Sequence, residues 1–326
     1  MLTEKIKIAF IYKPCPALTT NYYFTTHYNF FMKALQRNSR IDVTYIETQN
    51  IYDARKLQDK FDIILLFENR NNCEPDEFIG LDDLDIPIIA KVGDPYAAKK
   101  IHAAEYHKKF NISAYFCNVH ESYFYRYYPK KYKFKTILYG LEPSLYNQSF
   151  PFENRIKNKI LNSGATANMK YTSRLISRLL NPHGDAFALY KLRTLCNRLP
   201  YVDYTSTLEH EYVGDKYPQL LQKYAAAIAA TTIIPTMKYY EIPAAGCLTF
   251  MEVTKKNNAE FLGFQDNETA IFIDENNYEH KFKEYLNDVD NPKWKKIANQ
   301  GKQYALSNLS NDVAVNVLVD LMEELL

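Results

Sequence analysis

Glycine is scarce in this chain of 326 residues, which contains nine glycines and a single tryptophan. No GxGxxG motif follows the first apolar segment, where IYKPCPA stands instead, and no GxxxxGK[ST] motif occurs. Because both motifs use glycine to bring backbone amides against phosphate groups, neither a dinucleotide-dependent dehydrogenase nor a P-loop nucleotidase is predicted. HExxH and GxSxG are also missing, which argues against a zincin protease and an α/β-hydrolase.

The chain also has few cysteines, a small net charge and no long apolar run. The five cysteines have no CxxC spacing and are odd in number, which argues against a disulfide framework and a structural zinc site. A reducing, cytoplasmic setting is therefore expected. No apolar stretch approaches the length of a membrane span, and the first residues do not form a signal peptide. The net charge of +2 gives no general attraction to nucleic acid.

Short apolar segments alternate with helical patterns through the first part of the chain. A helical spacing of apolar residues covers 21–38. The predicted strands are KIKIAFIY (5–12), IDVTYIE (41–47), FDIILLFE (61–68), IPIIAKVGD (86–94), ISAYFCNVH (112–120) and FKTILYGLE (134–142). Such strands are nearly continuous in apolar residues, which is typical of a parallel sheet covered on both faces.

The second part repeats this alternation. Predicted strands are NKILNSGAT (158–166), CLTFME (247–252) and AIFID (270–274), and predicted helices are 171–180, 219–232 and 311–326. The expected fold class is α/β, with two Rossmann-like domains facing a cleft. We place the domains at 1–142 and 143–305, with the terminal segment 306–326 forming a helix that packs back on the first domain.

One stretch, MKYYEIPAAGCLTF (237–250), combines a charged pair with small residues. Glu241 is predicted to open a helix with Pro243 in its first turn. Free amides at that helix end and Lys238 would attract an anion, while Glu241 can accept hydroxyl hydrogen bonds. This combination suits a nucleoside diphosphate. The alternative is an ordinary capped helix, in which Glu241 interacts favourably with the helix dipole or forms a surface salt bridge with Lys238.

The sequence resembles the GT-B glycosyltransferases, in particular the CgeB-like branch of the group 1 (GT4-type) enzymes. KYYEIPAAGCLTFME is similar to that branch's Lys/Arg-x-x-Glu-small-Gly signature, and the resemblance covers about 140–280. The other similar segments are SGATANMKYTSRLISRLL (163–180), GDKYPQLLQKYAAAIAA (214–230) and LGFQDNETAIFIDENN (262–277). The first 140 residues resemble the family less.

The resemblance implies transfer of a sugar from a UDP- or GDP-linked donor by the second domain, with the first domain on the acceptor side. Glu241 would hold the ribose, Lys238 the diphosphate, and Gly164 the loop that faces the phosphates. Arg174 and Gly246 complete the expected donor site, although Arg174 can equally be structural. Many members of the broader superfamily carry another Glu where this chain has Ile233, so the sugar contact and a retaining outcome do not carry over.

The expected activity is therefore that of a glycosyltransferase of the hexosyltransferase type acting on an acceptor hydroxyl. No metal site and no cofactor are expected, because Lys238 and the helix end would take the place of a divalent ion and the nucleotide sugar is a substrate. Two alternatives stay open. One is a non-catalytic nucleotide- or sugar-binding module of the same fold, and the other is a nucleic-acid-modifying glycosyltransferase.

Acceptor-side candidates lie in the first domain. Asp94 ends a predicted strand and can act as a base toward a hydroxyl, or it can cap the next helix. His27 and His120 are further candidates for a catalytic role. The basic, aromatic segment 123–135 can touch a membrane surface that holds a lipid-linked acceptor, or nucleic acid, or it can be an ordinary surface element over packed tyrosines. The acceptor itself is expected to be a glycan, a lipid-linked molecule or another hydroxyl compound.

Overall fold

Two separate units make up the chain, one of residues 1–140 with 311–326 and one of residues 141–310. The computed structural model describes residues 4–15, 25–67, 73–148, 150–180, 185–205, 211–212 and 214–326. Within these ranges no helix has both the length and the apolar character needed to cross a membrane.

Six parallel strands form the main sheet of the first unit. The strands of this unit are β1 (Ile6–Tyr12), β2 (Ile41–Glu47), β3 (Ile51–Asp53), β4 (Ile63–Leu66), β5 (Glu77–Ile79), β6 (Ile88–Lys91), β7 (Ala114–Cys117) and β8 (Phe134–Thr136). The order in the sheet is β2-β1-β4-β6-β7-β8, and β3 pairs with β5 apart from it. All six predicted strands of this half are present, because runs such as IILL and AYFC are buried along their whole length.

Helical segments of the first unit are short. They are α1 (Thr25–Tyr28), a π-helical turn (Asn29–Ala34), α2 (Leu35–Arg37), α3 (Ala103–Lys109) and α4 (Glu121–Phe124), with 3-10 turns at Ala54–Leu57 and Pro95–Ala97. The helix predicted over 21–38 is thus observed from Thr25 to Arg37, and residues 21–24 lie outside the described ranges. Phe30, Phe31 and Leu35 from this segment are fully buried in the core of the unit.

Five parallel strands form the sheet of the second unit. They are β9 (Ile156–Ser163), β10 (Val202–Thr205), β11 (Tyr224–Ala229), β12 (Leu248–Glu252) and β13 (Ile271–Ile273). Their order is β10-β9-β11-β12-β13, so the direction of strand addition reverses between β9 and β11. In open parallel sheets ligands bind beyond the carboxyl ends of the strands at such a reversal.

The second unit contains six of the described helices. They are α5 (Tyr171–Leu180), α6 (Ala186–Cys196), α7 (Tyr217–Gln222), α8 (Lys238–Ala244), α9 (Tyr278–Asn287) and α10 (Pro292–Asn308), with 3-10 turns at Pro143–Tyr146, Phe152–Asn154, Gly214–Lys216 and Ala259–Leu262. The last helix, α11 (Asn311–Glu323), belongs to the first unit. The change between units therefore falls at Ser310/Asn311, whereas the sequence placed it at 305/306.

The helix predicted over 219–232 is wrong. Residues 217–222 are helical, but YAAAIA is the central strand β11, which pairs with β9 on one side and β12 on the other. Alanine favours helices when exposed, yet a fully buried segment is governed by its neighbours rather than by propensity. Small side chains at Ala225, Ala226 and Ala227, all fully buried, fit a strand between two others.

Candidate functional site

Helix α8 begins at Lys238 rather than at Glu241, so Pro243 lies in its last turn and not in its first. A proline near the end of a seven-residue helix is tolerated because few intrahelical hydrogen bonds remain to be lost. The amide of Tyr239 donates to the Thr236 carbonyl, and that of Tyr240 to the Met237 carbonyl. These amides are therefore already engaged, and the expectation that they bind an anion is not supported.

Gly164 lies directly after β9, at the point where the strand order reverses. Its φ of +106° is a conformation that side chains disfavour, and its amide donates to the Thr205 carbonyl at 3.0 Å. A β-carbon added here would lie 2.9 Å from Lys238 Cε and 2.9 Å from Arg193 Nη1. Two cationic side chains thus border the open face of this glycine.

Lys238 reaches this loop from the start of α8. Its Nζ donates to Tyr217 Oη at 3.0 Å and to Ser163 Oγ at 3.3 Å, and it lies 4.4 Å from the centre of the Tyr217 ring. Burial and, to a smaller extent, the positive charge of Arg193 lower the pKa of Lys238, and Glu241 opposes both effects, so that the pKa is about 8. Its surroundings therefore favour an added negative charge.

Glu241 follows Lys238 by three residues and is partly buried. Its carboxylate makes no side-chain hydrogen bond or ion pair with the residues that the structure describes. Burial raises the pKa of Glu241 to about 7, and the nearby Lys238 charge opposes this rise. A carboxylate placed in this way has its full capacity to accept hydrogen bonds from a ligand such as a ribose diol.

Arg193 is a site residue that the sequence analysis missed. It lies on α6, is 2% exposed, and donates from Nη1 to the Ala165 carbonyl at 3.2 Å. Its Nε and Nη2 atoms have no hydrogen-bond partner among the described residues. Burial lowers its pKa. Buried guanidinium groups normally have partners, so these two donors are suited to bind an anionic or polar ligand.

Helix α6 is held against the loop by further polar contacts. Thr194 Oγ1 accepts a hydrogen bond from the Ala167 amide at 3.0 Å and donates to the Tyr190 carbonyl at 2.8 Å. Asn162 donates from Nδ2 to the Arg193 carbonyl at 3.0 Å. Nothing in the local sequence of α6 distinguishes Arg193, because its role depends on a helix that returns to a loop about 30 residues earlier.

Glu252 is a second buried charge that the sequence analysis did not single out. It ends β12, is 2% exposed, and its Oε2 has no hydrogen-bond partner within the described ranges. Burial raises its pKa to about 7, Glu275 adds to this rise, and Arg193 opposes it. Glu252 at the end of β12 and Gly164 just after β9 are thus linked through Arg193, whose charge acts on Glu252 and whose guanidinium borders Gly164.

Arg174 and Gly246 do not share these contacts. The Arg174 guanidinium stacks on the Phe187 ring, 3.7 Å from its centre. Gly246 lies past the other end of α8 with a φ of +74°, where the Gly246 and Cys247 amides donate to the carbonyls of Pro243 and Ile242. This is a Schellman cap, and the position of Gly246 is explained by the end of the helix.

The three acceptor-side candidates lie in the first unit in different settings. Asp94 precedes the turn Pro95–Ala97 and accepts a hydrogen bond from Tyr96 at 3.1 Å. Nδ1 of His120 accepts from the Ser122 amide at 3.2 Å and so caps α4. His27 packs against aromatic rings, and burial, with Lys91 nearby, lowers its pKa well below 6.5.

Segment 123–135 is a surface element over packed rings. Tyr123, Phe124, Tyr128 and Tyr132 are buried, which agrees with the structural alternative. Lys133 and Lys135 both lie within ion-pair distance of Glu324. Within the described ranges, no group of three or more His, Cys, Asp or Glu side chains is arranged to hold a metal ion.

No protein-family model and no curated protein sequence matches this chain. Solved structures do match over nearly its whole length. Anabaena HepE in complex with UDP and glucose matches with a TM-score of 0.54 and 13% identity, covering 98% of this chain and 99% of that one. The fold is that of the GT-B glycosyltransferases.

Two further glycosyltransferase structures support the same fold. Sucrose-phosphate synthase from Thermosynechococcus elongatus matches with a TM-score of 0.57 and 11% identity, covering 98% of this chain and 99% of that one. An alpha-glucosyltransferase in complex with UDP-glucose and DNA containing an abasic site matches with a TM-score of 0.58 and 9% identity, covering 98% and 100%. At these identities the likeness concerns the fold.

Proposed function

We propose that this protein is a glycosyltransferase that binds a nucleotide-sugar donor at the carboxyl ends of β9, β11 and β12. The observation that carries the proposal is the pair of cations beside Gly164, with Glu241 three residues beyond one of them. Lys238 and Arg193 would bind the diphosphate against the loop, and Glu241 would accept hydrogen bonds from the ribose. HepE, of the same fold, was solved with UDP and with UDP-glucose.

The proposed donor binding is independent of metal ions. A divalent cation at a nucleotide diphosphate neutralises the phosphate charge, and two buried cations at one loop can do the same. Burial disfavours the charged forms of both Lys238 and Arg193. An anion bound between them would interact favourably with both charges and so offset the free energy of burying them. Membership of the CgeB-like branch and a hexosyl donor remain parts of the same proposal.

For the acceptor side we retain Asp94, His27 and His120 as candidates. Burial, with Lys91 nearby, lowers the pKa of His27 well below 6.5, so its imidazole is neutral at pH 7, which is the form a general base needs. Nδ1 of His120 already serves as a helix cap. The non-catalytic module remains the alternative, supported by Ile233 at the position where many members of the superfamily carry a carboxylate.

Calorimetry with UDP, GDP and the corresponding nucleosides tests the donor site. Glu241→Gln should lower the affinity for both the nucleotide and the nucleoside about ten- to a hundredfold, because hydrogen bonds to a charged acceptor contribute about 1.5–3 kcal/mol. Lys238→Ala should lower the affinity for the nucleoside diphosphate by at least the same factor and change the affinity for the nucleoside little. EDTA should leave the affinity of the wild-type protein unchanged.

Matched controls are exposed residues of the same types in the same unit, Lys216→Ala and Glu260→Gln, which should bind like the wild type. If the folded Glu241→Gln and Lys238→Ala proteins bind the nucleotides with unchanged affinity, the two residues have only a structural role. Donor binding without hydrolysis or transfer from any donor would favour the non-catalytic module.

A further inference from the structure

Helix α5 exposes an apolar stripe to solvent. Leu175, Ile176 and Leu179 are 48%, 56% and 73% exposed. Their spacing places them on one face of the helix, and Met169, just before the helix, is also exposed. Three large aliphatic side chains on one short helix exceed the single exposed residues that soluble proteins normally show.

The sequence that carries this stripe has charge of one sign. Residues 154–184 contain no aspartate or glutamate, whereas Lys170, Arg174 and Arg178 recur every four residues beside the apolar positions. Asp185, the first acid after the stretch, caps α6 by accepting from the Phe187 amide. An apolar face flanked by cations is typical of helices that lie in the plane of a membrane surface.

We propose that α5 is an interfacial helix that binds a membrane surface containing anionic lipids. The aliphatic side chains would enter the boundary between headgroups and acyl chains, and Lys170, exposed just before the helix, would contact lipid phosphates, while the Arg174 guanidinium stays on the Phe187 ring. Nucleic acid would use the cations but leave the apolar stripe in water, so a lipid surface accounts for both features.

Segment 123–135 fits such a surface less well than α5. Its rings at Tyr123, Tyr128 and Tyr132 are buried in the first unit. Two of its five cations lie within ion-pair distance of Glu324. The proposal therefore places membrane contact in the second unit, on the helix that follows the Gly164 loop.

Vesicle co-sedimentation tests the proposal. The full chain should bind phosphatidylcholine vesicles that contain about one third phosphatidylglycerol, bind neutral vesicles weakly, and lose binding as salt is raised. The double variant Ile176→Ser with Leu179→Ser should bind anionic vesicles at least about tenfold more weakly, because it removes two apolar anchors. Ile51→Ser, at a 59% exposed aliphatic residue of the first unit, is the matched control.

Several outcomes would overturn the proposal. The wild type could fail to bind anionic vesicles, or the double variant could bind them as well as the wild type. A third contrary outcome is that the variant Lys130→Gln with Lys131→Gln loses binding while the α5 variants keep it. Self-association of the wild type that the double variant abolishes would assign the stripe to a second copy. Thermal unfolding followed by circular dichroism verifies that the variants fold, and Leu179→Ser alone serves if the double variant does not. None of these measurements depends on nucleotide binding.

Discussion

At the scale of single residues, the candidate site holds charges that its surroundings disfavour. Burial lowers the pKa of Lys238 and raises that of Glu241. In the ligand-free protein the ionised Glu241 therefore costs stability as pH rises through its raised pKa, and the charged Lys238 costs stability as pH falls through its lowered pKa. A ligand that interacts with both charges would offset these costs, which is typical of binding sites.

The pH dependence of binding follows from the same two groups. Burial raises the pKa of Glu241 and lowers that of Lys238, so UDP affinity should be highest near neutral pH, fall in acid as Glu241 is protonated, and fall in alkali as Lys238 loses its charge. Uridine affinity should fall only on the acid side, since the nucleoside has no diphosphate to meet Lys238. Calorimetry across this range measures both profiles.

Lys238→Arg is the control for the pH profile, because arginine stays charged throughout. It should remove the alkaline fall in UDP affinity while leaving the acid fall in place. Identical profiles for UDP and uridine would contradict the assignment of Lys238 to the diphosphate.

Gly164→Ala should weaken UDP binding about tenfold or more and uridine binding less. The new β-carbon would displace the Lys238 and Arg193 side chains, and the positive φ would add about 1–2 kcal/mol of strain. Gly80→Ala is a matched control, because Gly80 has a φ of +71° and would meet the Arg55 side chain in the first unit. Equal loss of UDP affinity in both variants would show a general effect of destabilisation.

At the scale of elements, α8 is positioned by its two ends. Tyr239, at its start, accepts from the Thr231 amide at 3.0 Å and donates to the Glu252 carbonyl at 3.0 Å. At its end, Arg155 donates to the carbonyls of Ala245 and Gly246. A cation at a helix C-terminus also complements the helix dipole. The orientation of Lys238 and Glu241 thus depends on Arg155, which is distant from both in the sequence.

Gly246→Ala should lower the free energy of unfolding by about 1–2 kcal/mol, because alanine disfavours the left-handed conformation of the Schellman cap. The added β-carbon would also lie 3.3 Å from Arg155 Nη2. Urea denaturation measures the change. Gly246→Asn should cost less, since asparagine tolerates this conformation, and equal losses for both variants would point to the contact with Arg155 instead.

At the scale of the whole molecule, the terminal helix completes the first unit. Val315, Leu318, Val319 and Met322 of α11 are fully buried in the core that includes β1 and β4. Asn311 Oδ1 accepts a hydrogen bond from the Gly140 amide at 2.7 Å, just where the chain leaves the first unit. Arg40 forms ion pairs with Asp320 and Glu323.

Leu318→Ala should lower the free energy of unfolding of the first unit by about 2–5 kcal/mol, because it leaves a cavity in a closed core. Thermal unfolding measures the loss. Leu325→Ala, at a partly buried leucine of the same terminus, should cost clearly less. A loss below about 1 kcal/mol for Leu318→Ala would contradict a packed role for α11.

The sequence by itself determined most of the strands and the parallel character of both sheets. It also predicted Lys238, Glu241 and Gly164 as parts of one ligand site, and of these the structure brings Lys238 beside Gly164. Apolar periodicity and local motifs carry this information because they act over short stretches of chain. Tertiary structure alone decided that YAAAIA is a strand, since burial between β9 and β12 outweighs the helix propensity of alanine. It also decided that Arg193 reaches the Gly164 loop and that the charges of Arg193 and Glu252 interact, because these positions depend on how α6 packs and on where β12 lies in the sheet, which no local pattern records.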